Sequence, residues 1–308
     1  MELPVKDRYG RPVRRLRISI TEKCNLSCIY CHKEGVPSSI DGLTVEQIRI
    51  LVETLSELGI SKIKITGGEP LVRKDVVEIV GKISHVKGIE EVSLTTNGVL
   101  LETYAYRLAE AGLRRVNVSL PSLIPERYQF ITGSKYEPST VVAGIESARN
   151  AGLKPIKINM VLLKGVNEDE VSSLLEFARS TSAILQLIEL EPVGAIPFYK
   201  RYHRKLDDFE KFFADRAAKI VERSLHGRKQ YYLDDGGVVE IVAPVHNSLF
   251  CLKCDRIRVT SDGKFKPCLM RTDNHLDFTY AFKSDNPKAE IRNVFLKAVS
   301  IREPFYKG

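Results

Sequence analysis

The chain has 308 residues, 43% hydrophobic and 28% charged, with a formal charge of +8. That length allows one large domain or two smaller ones, and the composition is that of an ordinary globular protein rather than a disordered or fibrous one. No apolar run reaches the roughly 18 to 20 residues a bilayer span needs, and the polar, basic start MELPVKDRYGRPVRR has no apolar signal core. A cytoplasmic location is therefore expected.

RLRISI (15–20) reads as a strand. LTVEQIRILVETLSELG (43–59) carries apolar residues at helical spacing, with Thr44 as N-cap and Gly59 as the stop. KIKIT (62–66) is a strand, 73–84 a helix, EVSLTT (91–96) a strand, and 99–111 a helix ended by Gly112. RRVNVSL (114–120) is a strand and 139–151 a helix ended by Gly152. KPIKINMVLL (154–163), a helix over 168–180 and AILQLIEL (183–190) follow.

Six such units in a row predict a parallel sheet, wound by right-handed crossovers into a barrel or open arc. Functional groups gather at the carboxyl ends of such strands. The unusual residues fall there: Cys24, Cys28 and Cys31 after the first strand, GGEP after the second, TTNG after the third, SLPS after the fourth and EPVG after the sixth.

Past residue 205 the pattern changes. A helix is expected over 207–222, then short strands at 230–233, 238–242, 255–261 and 264–269. The expected division is 1–205 as a partial barrel and 206–308 as a smaller closing region.

The six cysteines form two sets of three, Cys24, Cys28, Cys31 and Cys251, Cys254, Cys268. Each set is one thiolate short of a tetrahedral zinc site or a [4Fe–4S] cluster. In a reducing compartment such sets favour metal or catalysis over disulfides. The first, CNLSCIYC, suits a zinc loop with His32 as fourth ligand or a cluster with one open iron. The second, CLKCDRIRVTSDGKFKPC, suits a zinc ribbon completed by His246 or His275, or a second cluster. Arg256 and Arg258 alternate along a strand and so point the same way, as two guanidiniums would to hold a phosphate or carboxylate; the plainer reading is an exposed basic face. GGEP alone is a turn, but after a strand its glycines permit close backbone approach to a ligand. The +8 charge suits either a plain basic surface or a polyanion site.

The Cx3Cx2C spacing, Tyr30 before the last cysteine and GGEP resemble the radical S-adenosylmethionine (SAM) superfamily. With LRISITEKCN, ITGGEP, LTTNG, RRVNVSL, the second Cx2C and RIRVTSDGKFKPCL, the chain from about residue 8 to about residue 302 resembles the GTP 3′,8-cyclase family of molybdenum cofactor biosynthesis. Other radical SAM enzymes share only the first half.

The resemblance implies an α/β fold, an incomplete (β/α)6 TIM-like barrel closed by a small C-terminal α+β segment that carries a second iron–sulfur cluster. It implies two [4Fe–4S] clusters and SAM as cofactors. Cys24, Cys28 and Cys31 would hold the SAM-bound cluster, and Cys251, Cys254 and Cys268 the substrate-bound one. Tyr30, Gly68, Ser119 and Glu191 would contact SAM; Arg17, Lys64, Thr95, Lys157, Arg256 and Arg258 would contact GTP. The implied reaction is removal of the ribose C3′ hydrogen of GTP by a SAM-derived radical, then attack of C3′ on C8. The implied partners are GTP, an electron donor and a downstream cyclic pyranopterin monophosphate synthase, with no nucleic acid or membrane, in a monomer or homodimer.

Three positions depart from the family's pattern. Glu191 stands where many members carry Met. Gln186 stands where an arginine is common, so a triphosphate contact is missing or comes from Lys200 or Arg201. The chain ends EPFYKG, with Gly308 alone instead of Gly-Gly. Two other readings compete: a peptide-modifying radical SAM maturase, whose tails usually carry more cysteines, and a zinc-bearing nucleic-acid-binding protein.

Overall fold

A computed structural model describes residues 3–32, 42–193 and 196–307; Gly194 and Gly308 lie outside them. The first half runs β1 (Arg15–Ser19), α1 (Val45–Ser56), β2 (Lys62–Thr66), α2 (Val76–Ser84), β3 (Glu91–Thr96), α3 (Leu101–Glu110) and β4 (Arg115–Ser119). It continues through α4 (Pro125–Thr132), α5 (Pro138–Asn150), β5 (Ile156–Leu162), α6 (Val171–Ser180) and β6 (Ile184–Glu189). The remainder is α7 (Ile196–Tyr202), α8 (Asp207–Ala214), β7 (Ala217–Glu222), β8 (Lys229–Leu233), β9 (Val238–Val242), α9 (Ser248–Leu252), β10 (Arg256–Val259), β11 (Lys264–Lys266), β12 (Leu276–Asp277) and α10 (Pro287–Ser300).

Local chemistry sets the element ends. Thr44 caps α1 as expected: its hydroxyl accepts from the Gln47 N–H at 3.2 Å, and the Gln47 side chain accepts from the Thr44 N–H at 2.9 Å. This reciprocal capping box is worth about 1 kcal/mol. Past the helix end, Gly59 turns the chain at φ 94°, where a Cβ would meet Pro4 at 2.6 Å. On the strands, Leu16, Ile18, Ile63, Ile65, Leu94, Val116 and Val118 are essentially inaccessible. They face the helices, each contributing about 1.5–3 kcal/mol by burial. Their neighbours, one residue along, face the other way.

The twelve strands among the described residues form one sheet, ordered β12-β11-β10-β1-β2-β3-β4-β5-β6-β9-β8-β7. From β10 to β9 the eight strands are mutually parallel. The six-stranded run expected from the sequence is therefore extended by one parallel strand on each edge, both from the C-terminal region. Antiparallel strands finish the two ends. Inward residues of strands from β10 round to β9 line a single cavity, so the sheet curls around it as an incomplete barrel.

One element differs from expectation. The helix expected over 207–222 stops at Ala214, and Ala217–Glu222 is a strand. Its Ala, Lys and Glu favour a helix, but β8 pairs with it, setting Ile220 opposite Tyr231 and Val221 opposite Gln230. Hairpin pairing with β8 overrides weak local propensity. Helices α4, α7, α9 and α10 had no sequence-based expectation.

Candidate active site between two cysteine loops

Strand alternation builds the site. Arg15 and Arg17 of β1, Lys62 and Lys64 of β2, and Arg256 and Arg258 of β10 all face the same cavity of about 730 Å³, ample for cofactor-sized ligands. Register sets neighbours side by side: Arg258 beside Arg17, Arg17 beside Lys64, Lys64 beside Ser93, Ser93 beside Arg115. Such crowding disfavours further positive charge. Burial, then Arg115, Arg17 and Arg256, hold the Lys64 pKa well below its ordinary value. Burial, then Arg258 and Arg17, do the same to Arg256. Asp255 pairs with Arg15 and Glu91 with Arg115 at 2.7 Å, yet the cations crowded on this wall still give it a positive field suited to an anionic ligand.

The first cysteine loop leaves the carboxyl end of β1. The glycines after β2 make room for it: a Cβ on Gly67 would sit 2.5 Å from the Thr21 carbonyl, and one on Gly68 2.4 Å from that of Lys23. The close approach is thus to the protein's own backbone, with Gly68 N–H donating to Thr21 at 2.7 Å and Glu69 N–H to Lys23 at 2.8 Å. The Glu69 carboxylate accepts from Thr96 Oγ1 at 2.7 Å, Asn97 N at 2.6 Å and Leu71 N at 2.9 Å. Burial raises its pKa to about 7 against these donors. Asn97 donates onward to Asn25 at 2.8 Å. From the other side α4 holds the loop, the Thr132 and Ile131 carbonyls accepting from Ser27 and Ile29 at 2.9 and 3.0 Å.

Within the loop, burial, then Cys31 and Cys24, push the Cys28 thiol up to about 12. Burial raises the Cys24 thiol as well, and a cationic centre bound between the cysteines would stabilise the thiolates. The hydroxyl of Tyr128, in electrostatic reach of Cys28, is buried without a partner among the described residues. That donor set fits an iron–sulfur cluster. Among the described residues no three His, Cys, Asp or Glu converge as ligands of a single metal ion would.

The second triad lies at the other end. Asn247 caps α9, accepting from Phe250 N at 2.9 Å. Cys251 lies in α9, Cys254 just before β10, and Cys268 just after the antiparallel β11. Because β10 runs parallel to β1, these cysteines sit at the amino end of the sheet. A five-residue strand separates the two ends by about 16 Å at ~3.3 Å per residue. Burial would raise the Cys254 pKa, but Arg302 and Arg256 outweigh it and bring it to about 7. His246 packs on Tyr306, and neither His246 nor His275 lines the cavity, whereas His32 does.

All residues expected to contact SAM or GTP line this cavity: Tyr30, Gly68, Ser119 and Glu191; Arg17, Lys64, Thr95, Lys157, Arg256 and Arg258. Lys157 is already engaged. It ion-pairs with Glu240, which also accepts from Arg228 Nη1 at 2.8 Å, Gln186 Nε2 at 2.6 Å and Gln230 Nε2 at 2.6 Å. Burial opposes ionisation of Glu240, but Arg228 and Lys157 prevail and hold it at about 2. Gln186 thus belongs to a carboxylate-centred network that brings Arg228 to this corner, while Lys200 and Arg201, on α7, do not line the cavity. Sequence reasoning missed Arg15, Lys62, Arg115, Arg223 and Arg228. Period-two alternation with Arg17 and Lys64 carries the signal for the first two; Arg223 and Arg228 flank the β7–β8 turn and carry none.

A curled parallel sheet with a three-cysteine loop on its carboxyl rim defines the radical SAM class of proteins. Residues 18–178 match the family model described as the Radical SAM superfamily, and residues 183–308 the one described as Molybdenum Cofactor Synthesis C. Over 98% of its length the chain is 47% identical to a "Probable GTP 3′,8-cyclase" of Methanothermobacter thermautotrophicus, covering 99% of that protein. A protein of the same name from Archaeoglobus fulgidus is 46% identical over 99% of the chain and 100% of its own length. The chain belongs to the GTP 3′,8-cyclase family of radical SAM enzymes. Among solved structures, Streptococcus suis SuiB bound to S-adenosylmethionine is similar at TM-score 0.68 and 17% identity, over 90% of this chain and 65% of that one. The structure of anSMEcpe with bound AdoMet is similar at 0.62 and 19%, over 94% and 84%. At such identity these two speak for the fold alone.

Proposed function

We propose that the chain is a GTP 3′,8-cyclase, carried by one observation: two cysteine triads face each other along one cation-lined cavity. Cys24, Cys28 and Cys31 would hold the cluster that binds SAM, and Cys251, Cys254 and Cys268 the one that anchors the substrate. Once bound, the first cluster and SAM supply a 5′-deoxyadenosyl radical, able to take hydrogen from an unactivated sugar carbon. The overall change removes the C3′ hydrogen of GTP, joins C3′ to C8, and adds one electron and one proton to give 3′,8-cyclo-7,8-dihydro-GTP.

The chain's residues bind, orient and shield. Tyr30, Gly68, Ser119 and Glu191 face the SAM end. Arg17, Lys64, Arg256 and Arg258, with Arg15, Lys62 and Arg115, offset the triphosphate's roughly four negative charges. Thr95 lies near the carboxyl end of β3, and Lys157 contributes through its pairing with Glu240. The curled sheet would shield the reacting carbon from bulk water.

An electron donor and a downstream cyclic pyranopterin monophosphate synthase complete the pathway. Among the described residues no helix is long and apolar enough to cross a membrane. Reconstituted protein with SAM, reductant and GTP, without oxygen, should consume GTP and form 5′-deoxyadenosine with a cyclised product. 5′-Deoxyadenosine without GTP loss would overturn the substrate assignment.

A further inference from the structure

We propose that Asp7, Arg11 and Arg302 form a buried brace that sets the geometry of the second cysteine triad. The proposal rests on reading that triad as a cluster site. The N-terminal segment makes a tight turn, Asp7 N–H donating to the Arg11 carbonyl at 3.1 Å and Gly10 N–H to the Asp7 carbonyl at 2.9 Å. Gly10 supplies the φ of 74° the turn requires. The turn fixes Asp7, whose Oδ1 accepts from Tyr9 N at 2.9 Å and Arg11 N at 3.1 Å. Its other oxygen, Oδ2, accepts from Arg11 Nε and from Arg302 Nη1, each at 2.8 Å. Residues 295 positions apart thus meet on one carboxylate.

The free arms of the two guanidiniums carry the inference. Arg11 Nη1 donates to the Cys251 carbonyl at 2.8 Å. Arg302 Nη2 donates to the Cys254 carbonyl. Each arginine therefore grips one cysteine of the Cx2C pair. All three brace residues are buried, Arg302 only 1% exposed. An arginine buried that deeply to tie chain ends together would serve with any carbonyl; these two select the carbonyls of the two cysteines. The next residue extends the hold to the third cysteine's segment, where Glu303 pairs with Arg271, three residues past Cys268. The brace carries one net positive charge beside the triad, so it would also favour the more reduced state of an iron centre held by the three cysteines. Asp7, Arg11 and Arg302 are positioning residues: they hold the backbone of Cys251 and Cys254, and Arg302 in addition acts electrostatically on the Cys254 thiol.

The test uses the full chain reconstituted without oxygen, reading iron per chain, the spectroscopic signal and reduction midpoint of the second cluster, and 5′-deoxyadenosine formation without GTP. Arg302→Gln and Asp7→Asn should fall from about eight irons per chain toward about four, losing the second cluster's signal while the first still cleaves SAM. Arg302→Lys should recover part of the iron. Arg11→Lys keeps the brace's charge but cannot hold Asp7 and the Cys251 carbonyl together, so it should keep its iron while the loosened Cys251 backbone, not a change of charge, shifts the midpoint. About eight irons with unaltered signals in Arg302→Gln and Asp7→Asn overturns the brace. If those two variants lose their cooperative thermal transition, an unchanged midpoint in Arg11→Lys overturns it instead. Wild-type protein holding only about four irons overturns the brace together with the second-cluster reading. Eight irons without GTP turnover, by contrast, counts against the cyclase assignment and leaves the brace standing.

Discussion

Glu240 shows how much one buried side chain decides. Fully inaccessible, it offsets both Lys157 and Arg228 and accepts from two glutamines. Removing one partner of a buried ionic network leaves uncompensated charge behind. Glu240→Ala should therefore destabilise the fold by about 3–5 kcal/mol, read as a lowered denaturation midpoint. Glu240→Gln, which keeps hydrogen-bonding capacity, should lose less. Equal stabilities for wild type and Glu240→Ala would mean that solvent reaches this corner. Arg256 and Arg258 were legible as a pair because alternation along one strand fixes their common face. Glu240 was not, because its ion-pair partner Lys157 lies 83 residues away in the chain, and only the pairing of β9 with β6 brings them together.

At the level of elements, the two cysteine loops hang from opposite strand ends and so should fail independently. Cys28→Ala should abolish 5′-deoxyadenosine formation altogether. Cys268→Ala should keep slow SAM cleavage but make no cyclised GTP, measured by chromatography of both nucleosides under anaerobic turnover. Equal loss of both activities in Cys268→Ala would contradict the separation. The first loop and the GGEP turn were readable because each follows a strand directly. The support of that loop by α4 was not, since the helix has little amphipathic pattern and its contribution is two backbone carbonyls at its end. The misread stretch 217–222 makes the same point. A local composition suited to a helix became a strand because β8 offered a partner.

Across the whole molecule, the +8 charge and the cation rows of the cavity favour an anionic ligand over a neutral one. GTP association should slow several-fold as ionic strength rises from low to about 0.5 M, where the screening length shrinks to a few ångströms. SAM, with little net charge, should respond weakly. Stopped-flow or equilibrium binding at several salt concentrations checks this, and GTP binding indifferent to salt would exclude steering by these cations.

The sequence by itself determined the class of the protein. Cysteine spacing, strand–helix alternation and the glycines after β2 are local features that one stretch of chain can encode. Only the tertiary structure decided that the C-terminal region contributes a parallel strand to each edge of the sheet. It alone placed the second triad at the amino end, facing the first, and joined Asp7, Arg11 and Arg302 behind it. Those outcomes depend on contacts between residues from 54 to 295 positions apart, which no local spacing records.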